Sequence, residues 1–194
     1  MKKRNANKKR NEKKIWEAAI QLFIENGLSE TTINEIVVKS DVGKGTFYNY
    51  FKNKNDIWDK LISELLTALN EGARQEREKA NALHDYIYNA YHAAFKVLTA
   101  PPYPALIAKN QVHFRESLHK SNEILNVFGD LESDLRKSEL FKGLPSSFYK
   151  MYAYSMVGAG FELVIQSYLN QDNFTAEEMS EFITSVFENS INKG

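Results

Sequence analysis

The stretch Val42-Gly43-Lys44-Gly45-Thr46-Phe47-Tyr48-Asn49-Tyr50-Phe51-Lys52-Asn53-Lys54 decides how the chain is read. Wound as a helix from about Lys44 to Phe51, it has a buried side made by Val42, Phe47 and Phe51. Lys44, Tyr48 and Lys52 step by four along the opposite side, with Gly45 and Asn49 beside them. That outward face offers a cation, hydrogen-bonding side chains and a glycine that lets a backbone approach closely, and it carries no acid. An ordinary amphipathic surface helix would leave unexplained why Tyr48 and Tyr50 are aromatic outside the buried row.

Working outward, the flanks supply the rest of a helical unit. Upstream, Ile15, Ala18, Ala19, Leu22 and Phe23 form one apolar face of a first helix, closed by Asn26-Gly27. Thr32 opens a short second helix, with Glu35 three residues on as a capping box, and this helix stops near Ser40-Asp41. Downstream, Asn53 caps a fourth helix whose apolar row is Ile57, Leu61, Leu65 and Leu69. Two short helices joined by a tight turn, with a third packed behind, form a helix-turn-helix. Lys54 stands at a helix start, where the helix dipole disfavours a cation by roughly 0.3–1 kcal/mol. A phosphate bound there would reverse the sign. Thr32 and Thr46 lie near helix starts and can also donate to phosphate.

These residues resemble the TetR family of bacterial transcriptional regulators. The resemblance is carried by Ala18-Ala19, Leu22-Phe23, Gly27, Thr31-Thr32, Ile36 and the whole run 42–54, within residues 14–62. It implies a two-domain homodimer of about nine helices. It implies base or backbone contacts from Lys44, Gly45 and Asn49, and phosphate contacts from Thr32, Thr46, Tyr48, Tyr50 and Lys54. The chain departs from the family pattern at Asp41, where glycine is usual, and at Gly43, where serine is frequent. Asp tolerates a left-handed backbone better than most residues, and glycine is an acceptable N-cap.

The charge distribution agrees with a polyanionic partner at one end. Net charge is zero over 194 residues, yet residues 1–60 hold 13 Lys and Arg against 8 Asp and Glu, and the remainder holds 12 against 17. A basic tail over 1–13, expected to be flexible, leads into the helix-turn-helix domain over 14–56. Residues 57–194 are expected to form a ligand-binding and dimerisation domain. The absence of cysteine excludes disulfides and suits a reducing cytoplasm. The longest uncharged candidate for a span, Met151 to Phe161, is well short of the roughly 18 residues a membrane helix needs. No membrane partner is expected.

The remaining chain has helical periodicity throughout and no clean alternating run, so the fold class is all-α. Helices are expected over 81–99, 104–119, 121–138, 146–170 and from Thr175 to 191, with Pro101-Pro102-Tyr103-Pro104 and Gly143-Leu144-Pro145 as breaks. In the last helix the expected core row is Met179, Phe182, Ile183, Val186, Phe187 and Ile191. The 146–170 helix is apolar nearly all round, and Gly158 and Gly160 point to a close neighbour. A four-helix interface made by these two helices from each of two chains is expected. Tyr91, His92, Phe95, His113 and Phe114 are the candidate wall of an effector pocket, since aromatic residues with polar tips suit an apolar site with few hydrogen bonds. Plain core packing is the competing account for each of them singly. No metal or other cofactor is expected, because no second Glu-x-x-His accompanies Glu116 and His119.

Three functions remain open on the sequence. The leading one is a repressor released from a palindromic double-stranded DNA operator by a small, largely apolar or aromatic effector. The second is a DNA-binding regulator without a small ligand, controlled by a protein partner. The third is a helical enzyme with a vestigial DNA-binding domain. No catalytic residue can be named for the last.

Overall fold

The computed structural model describes the backbone of residues 2–119 and 127–191, and side chains within those ranges from residue 7 onward. Among the described residues there are ten α-helices, one 3-10 turn and no strand. By contact the chain divides into two compact units. The first comprises Met1–Glu64 and Ala105–Ser117, the second Leu65–Pro104 and Leu118–Gly194. The expected division after residue 56 would split the chain into consecutive segments; the contact division interleaves them. No helix among the described residues is long and apolar enough to cross a membrane.

In the first unit, α1 spans Lys2–Glu25. Residues 2–13 of the basic stretch expected as a flexible tail are therefore helical. Lys, Arg, Asn, Ala and Glu contain no helix breaker, and Lys13 and Glu17 pair at i, i+4. The expected row Ile15, Ala18, Ala19, Leu22 and Phe23 is buried. The helix closes at Gly27, whose φ of +89° glycine adopts without a Cβ penalty.

Helix α2 covers Ile33–Ser40 and opens with the capping box: Thr32 Oγ1 accepts from Glu35 N, and Thr32 N donates to the Glu35 carboxylate. Asp41 ends it in the left-handed region at φ 53°, as the departure from glycine at this position requires. Helix α3, Lys44–Tyr48, is shorter than the expected 44–51, because the chain tightens into i→i+3 bonds at Asn49 and Tyr50. Helix α4 is Lys54–Lys79. Asn53 Oδ1 accepts from Asp56 N, and the Asp56 carboxylate accepts from Lys52 N.

The segment expected as one helix over 104–119 is two, α6 (Tyr103–Lys109) and α7 (Gln111–Leu118). Asn110 lies between them, and its carboxamide donates to the Leu106 carbonyl, competing with the helical ladder.

The second unit contains the later part of α4 together with α5 (Leu83–Leu98), α8 (Val127–Lys137), the 3-10 turn Glu139–Phe141, α9 (Ser146–Asn170) and α10 (Ala176–Ile191). Helix α10 packs mainly on α5, and α8 on α9. The helix expected over 121–138 lies partly outside the described residues. A second capping box opens α10: Thr175 N donates to Glu178, and Glu178 N to Thr175 Oγ1. The expected core row of α10 needs correction. Met179, Ile183 and Phe187 are buried, but Phe182 is 59% and Val186 48% exposed. The buried stripe instead takes in Ser180 and Thr184, one position on from Met179 and Ile183, and Ile191 is only half-buried.

Candidate functional site

Two features of the chain can bind something: the outer face of α3 and a cavity in the second unit. The α3 face is set by the packing beneath it. Phe47 and Phe51 are buried with ring centroids 6.1 Å apart, and Trp16 lies 6.3 Å from Phe51. This apolar anchor turns Lys44, Gly45, Tyr48 and Asn49 outward, all exposed, with Thr46 and Tyr50 half-buried beside them. Tyr48 stands edge-on against Phe47 at 5.4 Å, which stiffens an otherwise free phenol. A side chain added at Gly45 would meet nothing within 4 Å, so the space for a close backbone approach is open. Asp41 at the turn is paired with Lys14 Nζ at 3.4 Å.

Two of the expected phosphate ligands have partners of their own. Lys54 Nζ donates to the carbonyl oxygens of Ser29 and Thr31, each at 2.7 Å. This offsets the dipole penalty of a cation at the start of α4. Thr32 Oγ1 donates to the Glu35 carboxylate at 2.7 Å. The hydrogen bonds from Thr32 hold the Glu35 carboxyl below its ordinary pKa.

The 105–117 segment buttresses the same unit. The Asn110 carboxamide is buried, accepting from Leu28 N at 2.6 Å and donating to Phe23 O at 2.9 Å. His113 Nε2 lies 2.8 Å from Ser29 Oγ, and Trp58 Nε1 donates to Ser117 Oγ at 3.1 Å.

The second unit holds a cavity of about 110 Å³ that is partly open to solvent. Its wall is chiefly apolar, with Leu69, Ile87, Phe95, Leu131, Met156 and Phe161 prominent. Arg77, Tyr86, Asn70 and Tyr91 bring the polar atoms. Tyr91 Oη donates to the Met156 carbonyl at 2.7 Å, and burial pushes this phenol well above its ordinary pKa.

Of the five residues expected to line a pocket, the cavity brings together Tyr91 and Phe95. His92 instead meets Glu177 of α10 at 3.0 Å, while His113 and Phe114 belong to the first unit. The Pro101–Pro104 break contributes no lining residue. Sequence reasoning passed over Arg77 and Tyr86. The signal was present for Arg77: the α4 row at steps of four, Ile57 to Leu69, continues through Ala73 to Arg77 and so puts an arginine in a core position.

A helix-turn-helix with an exposed, acid-free recognition face, in a chain that carries a separate apolar cavity, defines a DNA-binding regulator. The family model for bacterial regulatory proteins of the tetR family matches residues 15–61. An uncharacterized HTH-type transcriptional regulator in the lacX 3' region of Lactococcus lactis subsp. lactis is 30% identical over 149 residues, 68% of this chain and 69% of that protein. The Bacillus subtilis fatty acid metabolism regulator protein is 29% identical over 140 residues, 67% of this chain and 71% of that one. The fold is also similar to the transcriptional regulator FadR from Bacillus subtilis in complex with stearoyl-CoA. That structure has a TM-score of 0.66 at 22% identity, over 89% of this chain and 95% of the other. The match to the Bacillus subtilis regulator YhgD spans only 42% of that relative's length. The chain belongs to the tetR family of bacterial regulatory proteins.

Proposed function

We propose that this protein is a transcriptional repressor that leaves its DNA when a small, largely apolar effector occupies the cavity of the second unit. The observation that carries this is the presence, in one chain, of an outward-facing recognition helix and a largely apolar cavity. Lys44, Gly45 and Asn49 are the residues proposed to meet bases or nearby backbone. Thr46, Tyr48 and Tyr50 are proposed to meet phosphates. For Thr32 and Lys54 the same role requires them to exchange their present partners for a phosphate. The Bacillus subtilis neighbour was solved with stearoyl-CoA, and an effector with an extended apolar part suits the wall described here. To act, it must bind the DNA-incompetent state more tightly than the competent one.

The repressor is proposed to be a homodimer on a palindromic operator. Met151 and Tyr154 of α9 are 59% and 51% exposed, and Phe182 and Val186 of α10 are also exposed. Apolar side chains at these spacings leave a face that a second copy can cover. Gly158 lies on the same side of α9, with nothing of its own chain within 4 Å of an added Cβ. Gly158→Leu is therefore expected to fold and to weaken the dimer.

The test uses DNA selected from a random pool by the purified protein. Lys44→Ala is expected to lose roughly 1–3 kcal/mol on the selected duplex and much less on random duplex. Equal losses on both would make Lys44 a phosphate contact. Binding should weaken steeply with salt. A monomer at micromolar concentration with full operator affinity, seen by sedimentation, overturns the dimer.

A further inference from the structure

The basic run at the start of α1 stands outside the recognition face. Residues 2–14 carry eight Lys and Arg against one acid, Glu12. The run is helical and continues into the rest of α1 without a break. From Asn7 onward its side chains are therefore set in direction, unlike those of a loose arm.

Packing fixes those directions. Ile15 is buried, and Glu12 turns towards α4, where it meets Lys60 Nζ at 3.4 Å. Lys14 turns to the other flank and meets Asp41 Oδ2 at 3.4 Å, in the turn that leads into α3. At about 100° per residue, Asn7, Arg10 and Lys14 fall on one row of the helix. That row lies on the flank adjoining the turn into α3, and it carries no acid. Lys9 and Lys13 fall on a second row, roughly a third of a turn away. The second row runs on to Glu17, which pairs with Lys13 at 3.6 Å. Arg10 is exposed and has no ion pair among the described residues. The Asp41 side chain that holds Lys14 is 95% exposed, and a pair so open to water is exchanged at small cost.

Resting on the reading of α3 as the recognition helix, we propose that the Asn7–Arg10–Lys14 row of α1 is a second DNA-binding surface, which engages phosphates flanking the groove that α3 enters. Arg10 and Lys14 bind those phosphates, Asn7 donates beside them, and none of the three reads a base. Continuity with the turn into α3 and the unbroken cationic row support this occupant. Back from Lys14 the helix runs for roughly 18 Å at about 1.5 Å per residue, or about five steps of about 3.4 Å along a DNA strand. The surface therefore widens the footprint outward from the half-site. Asp41 limits it, because its carboxylate both holds Lys14 and repels the same phosphates.

The experiment uses the full chain, a duplex selected from a random pool and a random duplex, each titrated across salt. Arg10→Gln and Lys14→Gln should each weaken both duplexes by the same factor, about fivefold for each chain bound at physiological salt. Each should also lower the salt slope by about 0.9 per chain. Lys9→Gln removes the same charge from the second row and should change either affinity by less than about twofold. Asp41→Asn keeps a residue that tolerates the left-handed backbone and should tighten both duplexes about threefold. Glutamine preserves helix propensity, so the α1 variants should fold. Hydroxyl-radical footprinting of Arg10→Gln should show protection lost at the outer edge of the site. An equal loss from Lys9→Gln overturns the row, leaving only diffuse charge attraction. A loss confined to the selected duplex overturns the phosphate assignment and makes Arg10 a base reader. Unchanged DNA binding by Arg10→Gln, with weaker binding to phosphatidylglycerol vesicles, overturns it in favour of a membrane surface. Failure of the wild type to enrich any sequence from the pool removes the recognition reading itself, which is a separate result.

Discussion

In the unit that carries the helix-turn-helix, Thr31, Trp58 and Asn110 all find partners for their buried polar atoms. In the other unit, Arg77 Nε, Tyr86 Oη and Thr184 Oγ1 find no well-aligned partner, and these three are the only such atoms among the described residues. The contrast follows from what each unit must do. A recognition helix reads DNA only if its side chains are held at a fixed spacing, and saturated buried hydrogen bonds hold one arrangement. A sensing cavity needs interaction capacity that folding has not used up, so that the arriving molecule changes the free energy of the state it binds.

The contrast can be broken by mutation. The largest effect is expected from Asp134→Ala, which strands the Arg77 guanidinium. Removing one partner of a largely buried pair should cost about 3 kcal/mol of stability. A fall in the urea midpoint at unchanged m-value reads this, and a loss under about 1 kcal/mol would mean the pair is solvated. Asn110→Leu comes next. It leaves Leu28 N–H and Phe23 O without partners, at about 2–3 kcal/mol. A neutral outcome would show that the first unit does not depend on its saturated bonds.

Thr32→Ala should cost about 1 kcal/mol through the lost N-cap. It should also alter the acid limb of stability. The Glu35 carboxyl is held below its ordinary value of 4.5, so its contribution is present above that pH and fades as pH falls through the depressed value. The alanine variant should show a shallower decline there in denaturation followed from pH 6 to 3. The smallest effect belongs to Tyr86→Phe, expected within about 1 kcal/mol of wild type, since its buried hydroxyl meets only the Arg77 guanidinium, which Asp134 already pairs. A loss beyond about 1 kcal/mol would make that contact a full intramolecular bond and place Tyr86 with the saturated groups of the first unit.

The first unit was the more legible of the two because its signals are local. Capping at Thr32–Glu35, the apolar row of α1 and the alternation of Phe47 and Phe51 with Lys44 and Tyr48 all act within a few residues. The capping box at Thr175 and the bounds of α9 could be read for the same reason. The parts that depend on distant neighbours could not. His113 and Phe114 look like pocket aromatics until residues 105–117 are seen packed in the first unit, a placement that no periodicity encodes. Phe182 and Val186 fit the apolar repeat of α10, yet α5 meets the stripe one position round. Lys54 reads as a free cation at a helix start, because its carbonyl acceptors at Ser29 and Thr31 are more than twenty residues away.

Asn110 also supplies a clock. The Leu28 amide proton is held by a side chain 82 positions further along the chain, so it meets solvent deuterium only when the 105–117 segment loosens from the turn after α1. Its exchange lifetime therefore reports how often that segment lets go, independently of global unfolding. A single backbone probe can follow the opening of the buttress under the recognition helices, residue by residue and without any label.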